Sequence, residues 1–393
     1  MMRLQSLGAL LVAALLVTST VIQARAAEPY DINVILSETG PFAFLGAEES
    51  TSLKALEVLE NKHGGINGRP IHFVMQDDQS TPIVAVQLAN AIIAQHVPVL
   101  LGSTSLASCL AIAPLVRQSG PLEYCYAPTL HPQPGSYVFS ATASSRDLMR
   151  ALLTYAEARG WNKVALISST DATGQDHEAQ FNAVMASGEF SRMTVVDREK
   201  FNPGDVSVAA QVERMKAAAP NVVILGTVGT PTGTALHAIH DAGLDVPLMT
   251  NPGNLIRKQM AQYAAFLPAE LYFATPRFVA QDVSRSGPVR DQQLAFSAAI
   301  HGQGSEPDMG YNFSWDATRV VIDALRHTGP NPDAKQVHDY IEALYSFVGS
   351  DGIMDYRGGD QRGVTLSSLV VARWDGAKQN WLTQSQPGGK PLH

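Results

Sequence analysis

Residues 31–102 read DINVILSETGPFAFLGAEESTSLKALEVLENKHGGINGRPIHFVMQDDQSTPIVAVQLANAIIAQHVPVLLG, and their periodicity decides the fold. Ile32 to Leu36 is a short aliphatic run that reads as a strand, and Leu53, Leu56 and Leu59 then fall on one face of a helix. His63-Gly64-Gly65-Ile66-Asn67-Gly68 is a turn rich in residues that accept positive φ, and Ile71 to Met75 is the next strand. Thr81 stands where it caps a helix whose first position is Pro82, with Val84, Leu88, Ala91 and Ile92 as its buried stripe. Val97 to Leu101 closes the series as a third strand. This β-α-β-α-β order predicts a parallel sheet with helices on both faces.

The rhythm restarts near residue 143. Leu148, Leu152 and Tyr155 mark a helix; Val164 to Ser168, Thr194 to Val196 and Val222 to Leu225 mark strands; Leu236, Ile239 and Leu244 mark another helix. With 393 residues, two such halves give two cores. From Leu271 the pattern changes to a strand, helices around Gln292 to Ile300, Trp315 to Leu325 and Ala334 to Leu344, and strands near Val364 to Trp374. The last stretch, Ser385 to His393, is expected to fray.

Residues 1–26 differ from the rest. Arg3, an apolar run from Leu7 to Ile22 and the small-residue pair in Ala24-Arg25-Ala26 read as a cleavable export signal. A single membrane anchor is the alternative, opposed by the Ser and Thr that interrupt the run and by its bare sufficiency in length. Without Arg3 and Arg25, 26 of the 28 basic residues remain against 36 acidic ones, a formal charge of about −10 that disfavours nucleic acid as a partner. The two cysteines, Cys109 and Cys125, exclude a disulfide scaffold and a zinc site of several thiolates. They pair in an oxidising compartment or stay as buried apolar thiols; spacing alone does not place their Cβ atoms.

These segments resemble the type I periplasmic binding proteins of the branched-chain amino acid class, the receptors of ABC importers. The resemblance runs over nearly the whole chain after residue 26. It rests on the ordered set Ser37-Glu38-Thr39-Gly40-Pro41-Phe42-Ala43-Phe44-Leu45-Gly46, similar to a S-G-P-x-A-x-x-G loop, Gly64 to Arg69, Asp77-Asp78 before Ser80-Thr81-Pro82, Gly102, and Ala111-Ile112-Ala113-Pro114. It implies an α/β fold of two doubly wound, flavodoxin-like lobes joined by three crossovers near residues 142, 275 and 348. The lobes would comprise 27–142 plus 276–348 and 143–275 plus 349–393, closing by hinge motion. It further implies a monomeric periplasmic carrier that captures a small-molecule solute and delivers it to ABC permease subunits of the inner membrane, without cofactor, metal or catalytic residue.

Ligands of doubly wound sheets gather at the carboxyl ends of the strands, where helix N-termini offer unpaired N–H groups. Ser105 ends one such strand and is expected to offer its hydroxyl to a carboxylate; the plain alternative is that it caps the following helix, and the two roles can hold together. Tyr126, Ala127 and Thr129 match a second carboxylate-binding loop of the family. Phe42 and Phe44 are expected to wall the pocket, or to join the core. The second lobe would add Asp171, Thr173 and Gly174, then Val228 and Thr230, then Asn251 and Asn254. The family's amino-acid binders carry an acid near Asn251 to Gly253 for the ligand ammonium; here Met249 to Leu255 has none. A buried ammonium without a counter-charge is costly, so a carboxylate with an uncharged tail is favoured unless Asp171 or Glu123 substitutes.

An enzyme and a sensory receptor are the rival readings. The sequence has no G-x-S-x-G elbow, no H-E-x-x-H pair and no G-x-x-x-x-G-K-[ST] loop, and Cys125 with His131 six residues on makes no catalytic case by spacing. An export signal without a later apolar span favours a free carrier over a receptor domain.

Overall fold

The computed structural model describes residues 27–279 and 286–392; the expected export signal lies outside them. The first sheet is built from β1 (Tyr30–Leu36), α1 (Ala43–Lys62), β2 (Ile71–Asp77), α2 (Pro82–Ile93), β3 (Val99–Leu101), α3 (Leu106–Val116), β4 (Leu122–Cys125) and β5 (Val138–Ser140). Its strands lie in the order β2-β1-β3-β4-β5 and all run parallel. That is the flavodoxin-like winding order.

The second sheet repeats it. α4 (Ser145–Ala158), β6 (Lys163–Ser169), α5 (Ala172–Met185), β7 (Thr194–Phe201), α6 (Ala209–Ala217), β8 (Val222–Gly226), α7 (Thr230–Asp241), β9 (Leu248–Thr250), α8 (Arg257–Gln262) and β10 (Leu271–Pro276) follow in turn. The parallel order is β7-β6-β8-β9-β10. The chain then returns to the first side as α9 (Pro288–His301), α10 (Met309–His327) and α11 (Ala334–Ala343), and forms the ribbon β11 (Tyr345–Val348) with β12 (Ile353–Asp355). Finally β13 (Leu369–Asp375) and β14 (Asn380–Thr383) extend the second sheet from β10 in antiparallel pairing. The fold class is therefore the expected one, two doubly wound lobes.

Helix α1 packs on α10, whose buried residues lie all round it because it is wedged between neighbours. Its cap, Asp308, accepts the N–H of Gly310 at 3.1 Å and that of Arg257, from the second side, at 3.0 Å. On the opposite face of the first sheet, α2 and α3 cover Ile35 and Leu100. Here the expected stripe of α2 is rotated by a residue: Ala85, Ala89 and Ile92 are buried, Val84 and Leu88 are half-buried and Ala91 is exposed. Alanines let the helix sit close, so larger neighbours flank the contact. Leu244 likewise lies beyond α7, where its N–H closes the helix end on the Ile239 carbonyl.

Cys109 and Cys125 are joined in a disulfide that ties α3 to the end of β4. The expected fraying of the last residues is wrong. Ser385 is buried and accepts the N–H of Val371 at 2.8 Å, Gln386 N–H reaches the Lys390 carbonyl, and Gly389 sits on the Ala151 backbone of α4. Apolar burial and backbone bonds outweigh the Pro-Gly composition there. Beyond the expected third crossover near residue 348 the chain still contacts the first sheet. Tyr356 bonds Tyr124 at 2.6 Å, Gln361 donates to the Ser136 and Val138 carbonyls, and Arg362 donates to Leu130 and Ser140, so the chain stays with the first sheet through Arg362.

Candidate functional site

The carboxyl ends of both parallel sheets face each other, and their loops line a partly open cavity of about 20 Å³. That leaves room for roughly one water, so the space as it stands is too small for an organic solute. The first side contributes Phe42, Leu45, Thr104, Leu106, Tyr126, Ala127, Pro128, Thr129 and Phe313; the second contributes Thr173, Val228, Asn251 and Gly253. Seven residues singled out in the sequence thus come together: Phe42, Tyr126, Ala127, Thr129, Thr173, Val228 and Asn251.

Asp77 and Asp78 hold the first-side loops. Asp77 accepts the N–H groups of Glu38, Thr39 and Gln79 and the Thr39 hydroxyl. Burial works against its charge, but these bonds bring its carboxyl below the ordinary value. The buried Asp78 takes the hydroxyls of Ser37 and Ser103, each at 2.7 Å, and so ties the loop after β1 to the loop after β3. Behind them, Thr104 donates to Glu49 at 2.5 Å and accepts the Ser37 N–H at 3.0 Å. Burial raises the Glu49 carboxyl to about 8, opposed by the Thr104 bond and helped by Asp78.

Ser105 does not line the cavity. Its hydroxyl caps α3 by accepting the Ser108 N–H at 3.2 Å, the capping alternative; the neighbouring Thr104 and Leu106 face inward instead. Phe44 is also outside, packed half-buried on the core. Asp171 caps α5, accepting the Gly174 N–H at 2.9 Å and the Ser169 hydroxyl at 2.8 Å. Gly174 is structural: a Cβ there would meet the Ser169 carbonyl oxygen at 2.0 Å, so only glycine lets α5 start so close to β6. Asn254 holds loops rather than lining the cavity, donating to the Thr227 carbonyl and accepting the Thr232 hydroxyl. Thr230 leads α7, its N–H toward the Pro41 carbonyl. Glu123 shares the α3 face of β4 with Cys125, fully buried, its carboxyl raised by desolvation and outside the lining.

No charged side chain lines the cavity. The Tyr126 hydroxyl is spent on Thr318 at 2.8 Å, while Asn251 uses its side-chain oxygen to accept the Gly253 N–H at 2.8 Å. Within the described residues the hydroxyls of Thr129 and Thr173, one from each side, make no hydrogen bond. Leu45, Thr104, Leu106, Pro128, Gly253 and Phe313 were missed; the apolar residues carry no chemical signal, and Phe313 arrives from a helix far along the chain.

Residues 29–379 match the periplasmic binding protein family, and the chain belongs to it. Its fold is the type I fold of the leucine-binding proteins. It is 23% identical to Leu/Ile/Val-binding protein homolog 1 of Brucella abortus, over 90% of this chain and 93% of that one. It is 25% identical to Leu/Ile/Val-binding protein homolog 3 of Brucella melitensis, but there it spans only 61% of the relative's length and 56% of its own. Among solved structures it is similar to an extracellular ligand-binding receptor from Rhodopseudomonas palustris HaA2, with TM-score 0.80, 21% identity, 91% of this chain and 99% of that one. The leucine binding protein LivK of Thermotoga maritima aligns with TM-score 0.76 at 19% identity, over 90% of this chain and 97% of its own. Among the described residues no helix is long and apolar enough to cross a membrane, and no cluster of potential metal ligands occurs.

Proposed function

We propose that this chain is a non-enzymatic periplasmic carrier, exported by the signal read in residues 1–26, that captures a small carboxylate with an uncharged tail and presents it to an ABC permease. Its lobes divide near residues 142, 275 and 363. The observation that carries the ligand class is the neutral lining: Thr104, Tyr126, Thr129, Thr173 and Asn251 supply its polar atoms, with no acid among them. An ammonium closed into that space would lose water without gaining a counter-charge. A carboxylate instead meets hydroxyls and the N-terminal end of α3, whose first residue Leu106 lines the cavity. The aromatic and aliphatic walls, Phe42, Leu45, Val228 and Phe313, suit an aromatic or aliphatic tail.

The alternative is an amino acid, favoured by the names of the Leu/Ile/Val-binding relatives and by the isoleucine-bound transporter protein LivJ of Streptococcus pneumoniae. A thermal-shift screen separates the two, because a ligand that binds only the folded form raises its melting temperature. Benzoate-like or short aliphatic acids are expected to stabilise the protein. Stabilisation by leucine or valine and by no simple acid would overturn the reading.

A further inference from the structure

Thr129 and Thr173 face the cavity from opposite lobes, and a short distance along each of their segments lies a polar contact outside the cavity. His131, in the loop after β4, places its Nε2 2.6 Å from Oδ1 of Asp176 on α5. Gln180 on α5 reaches both partners, at 3.2 Å from the imidazole and 3.1 Å from the carboxylate, and the Ser145 hydroxyl at the start of α4 stands 3.3 Å from the imidazole. The Asp176 side chain is 8% exposed and that of His131 45% exposed, so a nearly buried carboxylate of one lobe is met by a solvent-reachable imidazole of the other. The second carboxylate oxygen, Oδ2, is buried without a partner.

We propose that His131 and Asp176 form a proton-operated latch that holds the lobes closed and thereby makes capture in the cleft depend on pH. The inference rests on the two-lobe carrier reading only in requiring that the lobes part. A neutral imidazole still donates one N–H to the carboxylate, but a protonated one adds the attraction of opposite charges across a partly dry gap. Histidine is the side chain whose charge changes between about pH 5 and 8. Opening exposes Asp176 to water and removes its imidazole partner, so protons favour the closed form.

The surrounding charges leave this control to His131. From the C-terminal segment the buried Arg362 donates to the Leu130 carbonyl, next to His131, and its positive field reaches Asp176. Burial brings its guanidinium down only to about 10, so it stays charged throughout. Asp360 and, on α4, Asp147 act on Arg362, and Asp147 is engaged by the Ser144 cap. On α5, burial pushes His177 down to about 4, against the pull of Asp176, which keeps it neutral over most of the range. Burial would raise Asp176 itself, but the bonds from His131, Ser145 and Gln180 hold it below the ordinary carboxylate value, so it remains an anion. His131 is the histidine of this contact that joins the lobes.

The test needs no ligand. With dyes at Gln95→Cys on the first lobe and Glu213→Cys on the second, single-molecule energy transfer reads the closed-to-open ratio of the purified protein. The ratio is expected to fall about fivefold between about pH 5.5 and pH 8 in the wild type, and not to change in His131→Gln, whose half-exposed site tolerates the swap. Asp176→Asn should flatten the same profile. A wild-type ratio independent of pH, or a His131→Gln profile that follows the wild type, overturns the latch. Because no solute is added, neither result bears on whether the cleft prefers a carboxylate.

Discussion

Thr104, which lines the interlobe cavity, donates its hydroxyl to Glu49 at 2.5 Å, so the wall of the cleft stands on a fully buried carboxyl. Burial raises that carboxyl from 4.5 to about 8. The folded chain therefore keeps this proton after the unfolded chain has lost it. The associated stability is complete below about pH 4.5 and is lost as pH rises through 8. Urea unfolding at about pH 5 and about pH 8.5 should show the wild type losing more stability than Glu49→Gln, by an amount on the order of a few kcal/mol.

Gly229 bears on closure. Its φ is +84°, and an added Cβ would stand 2.4 Å from the Pro41 carbonyl oxygen of the other lobe. Gly229→Ala should oppose the closed form and weaken any cleft ligand by about tenfold or more, measured by calorimetry. Unchanged affinity would mean the lobes bind without this contact.

The unbonded hydroxyls of Thr129 and Thr173 are predicted to face the ligand. Thr129→Val and Thr173→Val should each cost about five- to tenfold in affinity for a carboxylate found by the screen, with little change in melting temperature. A purely apolar role for either residue would leave affinity unchanged or raise it.

Reducing the Cys109–Cys125 bond releases a 16-residue loop between α3 and the end of β4. The loss should be about 3 kcal/mol, read as a lower denaturation midpoint under reductant, and Cys109→Ala with Cys125→Ala should reproduce it. Because Tyr126 to Thr129 follow the bridge directly, the same variant should also bind more weakly.

The doubled winding order was legible because β1, β2, β6 and β8 each carry a short apolar run set between helical periods, and periodicity survives tertiary packing. The cleft was legible where it lies within a few residues of a strand's end, as with Tyr126, Thr129, Thr173 and Asn251. It was misread where adjacent hydroxyl residues compete: Ser105 took the cap and left Thr104 facing inward, a choice set by a single backbone turn. Phe42 and Phe44 divided in the same way, one to the cavity and one to the core. The contacts of Gln361 and Arg362 with the first sheet were hidden because they are made to backbone carbonyls, and those bonds follow no side-chain pattern. Asp77 and Asp78 were visible as a motif, but only their geometry gives them their task of fastening two loops.

The route of the chain has a consequence for how it can acquire its shape. The first sheet is complete at Ser140, yet α10, which packs on α1, begins only at Met309; the edge of β10 stays open until β13 arrives at Leu369. A polypeptide emerging from its N-terminus must therefore hold the first half unfinished until α10 appears and the second until β13 does. Neither half is a continuous stretch of the chain, and a truncation before Leu369 leaves the second half with its β10 edge bare.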